Sequence, residues 1–211
     1  AAIQSAERGH QVVLFEAGRR LGGQARIAAL APNRTEVDGV ISYRSLELGR
    51  LGVRVRLGVM ADVDTVLAEK PDVVVVATGA VPAPADVEGG QLSHVIDVVR
   101  VLEPDPVTEK LLASASSAVV VDDGSGFWET CSAAEALGKR GLQVHFVSPA
   151  RMIAGNLPAE SVGPLTQRLR WLGVNLLPMH RVSSIEIGKV SIYDVARLAA
   201  TRILEEKELP A

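Results

Sequence analysis

The chain has 211 residues, of which 47% are hydrophobic, 22% charged and 3% aromatic, with a formal net charge of −3. That size and balance suit one large domain or two small ones with a core of Ala, Val and Leu, and they exclude disorder by composition. Mixed charge gives no electrostatic case for nucleic acid or an anionic membrane, and the lone Cys131 excludes an internal disulfide, a cysteine-rich zinc site and a four-cysteine iron–sulfur cluster within the chain.

A single cysteine fits a reducing, cytoplasmic setting. No apolar run approaches the roughly 18 residues of a membrane span. Ala1 to Gly9 lacks the apolar core of a signal peptide. Instead Ala1, Ala2, Ile3 and Ala6 give a small apolar helix face, with Gly9 as its C-cap. Val12 to Phe15 is a short apolar strand, expected to be buried on both faces and ending in Glu16. Gly22, Gly23 and Gln24 follow. An acid at the end of the second strand of a dinucleotide-binding βαβ unit accepts hydrogen bonds from a ribose. A glycine pair lets backbone approach a ligand where a Cβ would clash. The Gly-rich fingerprint belongs about 20 residues before that acid, whereas Ala1 lies only 15 before Glu16. The expectation is a chain that begins inside a Rossmann-type unit, in the helix that the fingerprint opens. The absence of an initiator methionine gives the start the character of a cut chain, with processing as the alternative.

Asn33 to Leu51 carries apolar residues at helical spacing and ends at Gly52. Val53, Val55 and Leu57 alternate with Arg54 and Arg56, the pattern of a half-buried strand. Asp62 is placed to N-cap a short helix through Leu67. Val73 to Val76 is expected to be a fully apolar strand running into Ala77-Thr78-Gly79, where open α/β sheets bind ligands. Pro82 and Pro84 begin an irregular stretch with a strand at His94 to Ile96 and a helix at Asp97 to Leu102, a crossing between two lobes. Ala118 to Val121 is the next strand. Asp122-Asp123-Gly124-Ser125-Gly126, a helix from Trp128 to Lys139 capped by Gly141, and a strand from Leu142 to Val147 complete a second βαβ-like unit. Helix Glu160 to Leu172, strand Val174 to Leu177, a hairpin around Gly188 and a helix from Val195 to Glu206 follow. The halves repeat weakly, each with a helix ending in Leu-Gly-Val before a strand (Leu51-Gly52-Val53 and Leu172-Gly173-Val174). The expected divisions are 1–84, a partial FAD or ADP lobe; 85–115, the crossing; 116–190, an NAD(P)-binding-like lobe; and 191–211, a terminal helix.

Glu7-Arg8-Gly9-His10-Gln11-Val12, Leu14-Phe15-Glu16, Leu21-Gly22-Gly23-Gln24 and Ala77-Thr78-Gly79 resemble the C-terminal flavoprotein module of the 2,4-dienoyl-CoA reductase and trimethylamine dehydrogenase group. These are old yellow enzyme-like NADH:flavin oxidoreductases. The resemblance runs from about Ala1 to Val190 and includes the spacing into the second lobe. It implies an α/β fold of two Rossmann-like lobes, glutathione reductase-like, with the first lobe lacking its first strand and Gly-rich loop. It also implies FAD, or ADP in its place, on the first lobe and NAD(P)H on the second. The implied partner is an FMN-carrying barrel that holds the substrate site, often with an iron–sulfur cluster.

Beyond the absent first fingerprint, two features depart from that pattern. Aligned without gaps, the second fingerprint's glycine positions hold Asp122, Gly124 and Phe127, so a carboxylate would stand near a pyrophosphate. After Asp194 no strand ending in Thr-Gly or Gly-Asp returns toward the flavin.

The candidate cofactor-binding residues are Glu16, Ala17, Arg19, Gly22, Gly23, Gln24, Arg26, Ala77, Thr78, Gly79, Gly124 and Gly126. Arg19 and Arg26 are either surface charge or phosphate neighbours. Gly124 and Gly126 are weighed as a plain tight turn against a working phosphate loop. Ser148 with Arg151 would favour a 2′-phosphate, against a simple turn serine before Pro149. Cys131 reads as a small core residue, Trp128 and Trp171 as packing residues, and Glu205 to Glu208 as a solvated helix end. The scattered histidines show no metal spacing, and no catalytic acid or base is assigned. The function expected is an FAD/NAD(P)-binding module that relays electrons from NAD(P)H through FAD to a separate domain. The alternatives are a redox-inactive ADP-binding or docking module, or an incomplete fragment.

Overall fold

The computed structural model describes residues 1–198 and 206–210. It divides into two compact units, Ala1–Val81 and Pro82–Ala211.

Unit 1 runs α1 (Ala2–Glu7), β1 (Val13–Glu16), α2 (Gly23–Leu30), α3 (Glu36–Arg50), β2 (Arg54–Leu57) and α4 (Val63–Ala68). β1 and β2 pair in parallel, from Val13 opposite Arg54 to Glu16 opposite Leu57. A parallel pair needs a long crossover, which α2 and α3 supply. The predicted caps hold: Gly9 takes φ +85°, Gly52 φ +68°, and Asp62 Oδ1 accepts the Thr65 N–H at 2.8 Å.

Two strand expectations fail. Val73–Val76 is unpaired coil, and all four valines are exposed. No strand among the described residues hydrogen-bonds to this segment, and an apolar run without a ladder partner has nothing to hold it in a sheet. β1, expected to be buried on both faces, is only half-buried for the same reason, because β2 is its one partner among the described residues. Helix α2 was not foreseen.

Unit 2 runs α5 (Val98–Leu102), α6 (Pro106–Ser114), β3 (Ser117–Val121), α7 (Trp128–Lys139), β4 (Gln143–Val147), α8 (Ala159–Trp171), β5 (Asn175–Leu177), β6 (His180–Glu186), β7 (Lys189–Asp194), α9 (Val195–Leu198) and β8 (Glu206–Pro210). β3, β4 and β5 form a parallel sheet, and β6, β7 and β8 an antiparallel one. His94–Ile96 is a turn and coil, so the predicted strand there is absent. Helix α6 was not foreseen, although Asp105 caps it through the Thr108 N–H at 2.7 Å and Pro106 opens it. Among the described residues the terminal helix is seen at Val195–Leu198. The predicted continuation through 199–205 lies outside the described residues, and Glu206 to Glu208 belong to a strand rather than a helix end. A strand therefore does follow Asp194, but it adds to β7 and ends in Leu209-Pro210.

The core of unit 2 shows how a chain poor in aromatics packs. Cys131, Ala133, Ala134 and Leu137 of α7 lie against Val144 and Phe146 of β4 and against Leu165 and Leu169 of α8, all buried. Small side chains bring α7 close to its neighbours; a Cβ on Gly138 would stand 3.1 Å from the Leu172 Cβ. Glu135, buried in α7, takes the Arg168 guanidinium of α8 at 2.9 Å. A second apolar cluster of Val147, Ile185, Val190 and Ile192 holds the hairpin. Trp128 packs against the core, whereas Trp171 is 76% exposed and is no packing residue.

The weak repeat has a structural counterpart. In α1–β1 the Gly9 N–H reaches the Ala6 carbonyl and the His10 N–H the Ser5 carbonyl; in α7–β4 Gly141 reaches Gly138 and Leu142 reaches Leu137. Gly9 and Gly141 both sit at φ +85°. In the two Leu-Gly-Val joints Val53 bonds back to Leu48 and Val174 to Leu169, after glycines at φ +68° and +74°.

Leu169 is fully buried and Val75 largely exposed. Leu169→Ala is expected to cost about 2–5 kcal/mol and Val75→Ala under about 0.5 kcal/mol. Equal losses in urea unfolding would show that Val75 belongs to a packed sheet.

Candidate functional site

In unit 1 the candidate residues gather at the carboxyl end of β1. Glu16 is its last residue, half-buried, and its Oε1 accepts the Gly18 N–H at 2.7 Å. That bond closes the turn through Ala17 and Gly18. The Gly58 N–H to the Gly18 carbonyl (2.9 Å) and the Val59 N–H to the Glu16 carbonyl (3.0 Å) tie the turn to the end of β2. Ala17, Arg19 and Arg20 are exposed, and Arg26 is half-buried on α2.

The two glycines serve different ends. Gly22 is the N-cap of α2 at φ +117°, and a Cβ there would meet the Ile41 Cδ1 at 2.9 Å. Its lack of a side chain thus lets α2 and α3 pack. Gly23, at φ +47°, has nothing within 4 Å of a would-be Cβ, and so leaves open space at the start of α2. Gln24 donates from Nε2 to the Ala80 carbonyl at 2.6 Å. That bond ties the start of α2 to the end of Ala77-Thr78-Gly79, which is exposed coil rather than a strand end. A concavity of unit 1 lies elsewhere. Ala6, His10, Val12, Leu51 and Arg54 line it at the amino ends of the strands, whereas ligands of parallel sheets bind at the carboxyl ends. The strand end thus brings together an acid, Glu16, and the open face at Gly23.

In unit 2 the corresponding end is organised by Asp122, which follows β3 and is 3% exposed. Its Oδ2 accepts the Ser148 hydroxyl at 2.7 Å. Its Oδ1 receives longer contacts from the Thr130 hydroxyl (3.3 Å), the Ser125 hydroxyl (3.4 Å) and the Gly126 N–H (3.4 Å). Asp123 Oδ1 accepts the Ser125 N–H at 2.8 Å, and the Ser125 amide and hydroxyl hold its carboxyl below the usual range. Gly124 (φ +101°) and Gly126 (φ +62°) form the turn. Ser148 is a turn serine, its Oγ also accepting the Ala150 N–H at 3.2 Å, but it is buried as well and bound to Asp122. The sequence had placed Asp122 near a pyrophosphate without anticipating that Ser148 and Thr130 would satisfy it; both hydroxyls stand beside the turn only once β4 and α7 are packed. Among the described residues no group of three or more His, Cys, Asp or Glu side chains is placed to hold a metal ion.

Cys131 is fully buried in α7. Burial, and then the Asp122 and Glu129 charges, push its thiol up to about 12. The thiolate is the reactive form, so at pH 8 a thiol-specific reagent is expected to leave the native chain unmodified and to label one group in denaturant. Rapid labelling of the native protein would place Cys131 at the surface.

No family model matches the chain. It is 35% identical to bilirubin reductase of Mediterraneibacter gnavus (strain CC55_001C) over 191 residues, 90% of this chain and 28% of that protein. It is 33% identical to NADH oxidase of Thermoanaerobacter brockii over 175 residues, 83% of this chain and 26% of that one. The structure of 6-hydroxypseudooxynicotine amine oxidase from Pseudomonas geniculata N1 superposes with a TM-score of 0.85 at 23% identity, over 100% of this chain and 31% of that one. That likeness shows a shared fold. The chain thus spans about a quarter of the length of the curated relatives it matches. No helix among the described residues is long and apolar enough to cross a membrane.

Proposed function

We propose that this chain, which fits the 2,4-dienoyl-CoA reductase and trimethylamine dehydrogenase group of flavoprotein oxidoreductases, is the nucleotide-binding module through which such an enzyme passes reducing equivalents. In this reading the parent enzyme takes electrons from NAD(P)H through FAD to a separate FMN- and substrate-carrying domain. A flavin, when bound, supplies the redox chemistry. The protein's own residues bind and orient. In this reading, residues 1–84 are the partial FAD or ADP lobe, 85–115 the crossing and 116–190 the NAD(P)-binding-like lobe. A single buried cysteine supports a reducing, cytoplasmic setting.

The observation that carries the reading is the carboxyl end of β1. Glu16 stands where an acid accepts ribose hydroxyls. Gly23 leaves the start of α2 open, so backbone N–H groups at a helix N-terminus can face phosphate. Gln24 and Arg26 flank that space on α2, Arg19 lies on the turn before it, and Ala77, Thr78 and Gly79 lie on the segment that Gln24 tethers. The carboxyl end of unit 2 does not fit a bound pyrophosphate in this arrangement, because Asp122 stands within it. That favours a second reading, in which ADP or the adenosine half of FAD is held structurally and the module docks on its partner without exchanging hydride.

The chain is incubated with FAD, desalted and its visible spectrum recorded, and ADP is tested by thermal shift. Retained flavin that NADH or NADPH bleaches anaerobically supports the relay. Stabilisation by ADP without bleaching supports the structural reading. Glu16→Gln is expected to weaken either ligand about tenfold or more, since a hydrogen bond to a charged group is worth about 1.5–3 kcal/mol. Unchanged affinity would remove Glu16 from the site, and no binding of FAD or ADP would remove unit 1 as a nucleotide lobe.

A further inference from the structure

The carboxyl end of unit 2 is filled by its own side chains. The Gly126 N–H belongs to the turn between a parallel strand and a helix, the place where backbone amides receive a pyrophosphate. Here it faces the Asp122 carboxylate, and the neighbouring Ser125 N–H is taken by Asp123. The room that the glycines leave is occupied too. A Cβ on Gly124 would meet the Pro149 Cγ at 3.1 Å, and one on Gly126 would meet the Gly155 backbone nitrogen at 3.2 Å. Asn156 fastens that covering segment, donating from Nδ2 to the Ser125 carbonyl at 2.7 Å and from its backbone N–H to the Gly126 carbonyl at 3.2 Å.

The ribose position is closed by the same residue. Glu16 lies seven residues beyond its capping Gly9, and Ser148 seven beyond Gly141. By the repeated helix–glycine–strand joint, Ser148 takes the place of Glu16. Its hydroxyl is fully buried and donates inward to Asp122 rather than outward. One carboxylate therefore occupies the phosphate seat and ties down the residue at the ribose seat.

We propose that Asp122 is an internal anion seated in the phosphate position of the second lobe and that it is the residue that sets this module's affinity for NAD(P)H. This deepens the nucleotide-module reading above and rests on it. An incoming pyrophosphate would meet a carboxylate of like charge where solvent is excluded. It would also have to replace the Ser148 bond and displace the segment around Gly155. Without the carboxylate, the Gly126 N–H and the Ser148 hydroxyl become available to a ligand.

NADH and NADPH are titrated by nucleotide fluorescence into the full chain and into its Asp122→Gly and Asp122→Asn variants, all carrying Glu16→Gln so that uptake by unit 1 is reduced. The Asp122 protein is expected to show no saturation up to about 1 mM. Asp122→Gly is expected to bind about tenfold more tightly or better, the scale of one charge-assisted hydrogen bond, with Asp122→Asn between the two. Circular dichroism and thermal melting establish that each variant folds; if the glycine variant does not, the asparagine variant decides. A folded variant that binds no better than the Asp122 protein overturns the proposal, as does saturation of the Asp122 protein at micromolar nucleotide. FAD and ADP binding by the chain with Glu16 intact reports on unit 1 separately, so failure of the module reading is distinguishable from failure of this one.

Discussion

The hydrogen bond between Ser148 and the buried Asp122 carboxylate is the constraint around which the carboxyl end of unit 2 is built. It joins the ends of β3 and β4 at 2.7 Å, and the same carboxylate reaches Thr130 on α7 and the amide of Gly126. A carboxylate away from water is tolerated only when its oxygens are met by donors. Four donors converge on this one, and two of them, Ser148 and Thr130, belong to elements that must be packed before they meet. The turn geometry, the start of α7 and the path of the chain after β4 are mutually fixed through it.

The two units use one local design for different ends. Each brings a helix to a left-handed glycine and then to a parallel strand, with the same pattern of backbone bonds at Gly9 and Gly141. In unit 1 the strand ends in an acid that accepts an amide of its own turn, beside a helix start with open space at Gly23. In unit 2 the strand is followed by a serine whose hydroxyl is buried, beside glycines covered by Pro149 and Gly155. An open end with an acid suits a ribose and phosphate. A closed end with an internal anion suits a structural lobe or a weak site. The two ends differ in side chains and not in fold, and a fold of this kind is common to many unrelated activities.

Much of the architecture was legible because its signals are local. Asp62 and Asp97 cap helices through the amide three residues on, as their side-chain chemistry dictates. Gly9, Gly52, Gly141, Gly173 and Gly188 all take positive φ at the ends of elements, where a side chain would be strained. The alanine-rich helix from Trp128 to Lys139 formed over the range its spacing predicts. The Asp105-Pro106 start of α6 carries the same kind of local signal. Glu16 and the glycines after it were legible as the end of β1 and the start of α2 because their conformational chemistry is local.

The sequence by itself determined the element types wherever capping, helical spacing or glycine conformation settles them within a few residues, and it placed Glu16 at the carboxyl end of β1. Only the tertiary structure decided what depends on a distant partner. Val73–Val76 has strand composition, yet it lies exposed and unpaired because a parallel strand exists only through its neighbour. Glu206–Pro210, charged and helix-like in composition, is a strand because β7 offers it an edge. Asp122 looked like a flaw in a phosphate loop. Its role as the loop's own anion emerged from Ser148, 26 positions away in sequence and 2.7 Å away in space, a proximity that only the packing of β3 beside β4 creates.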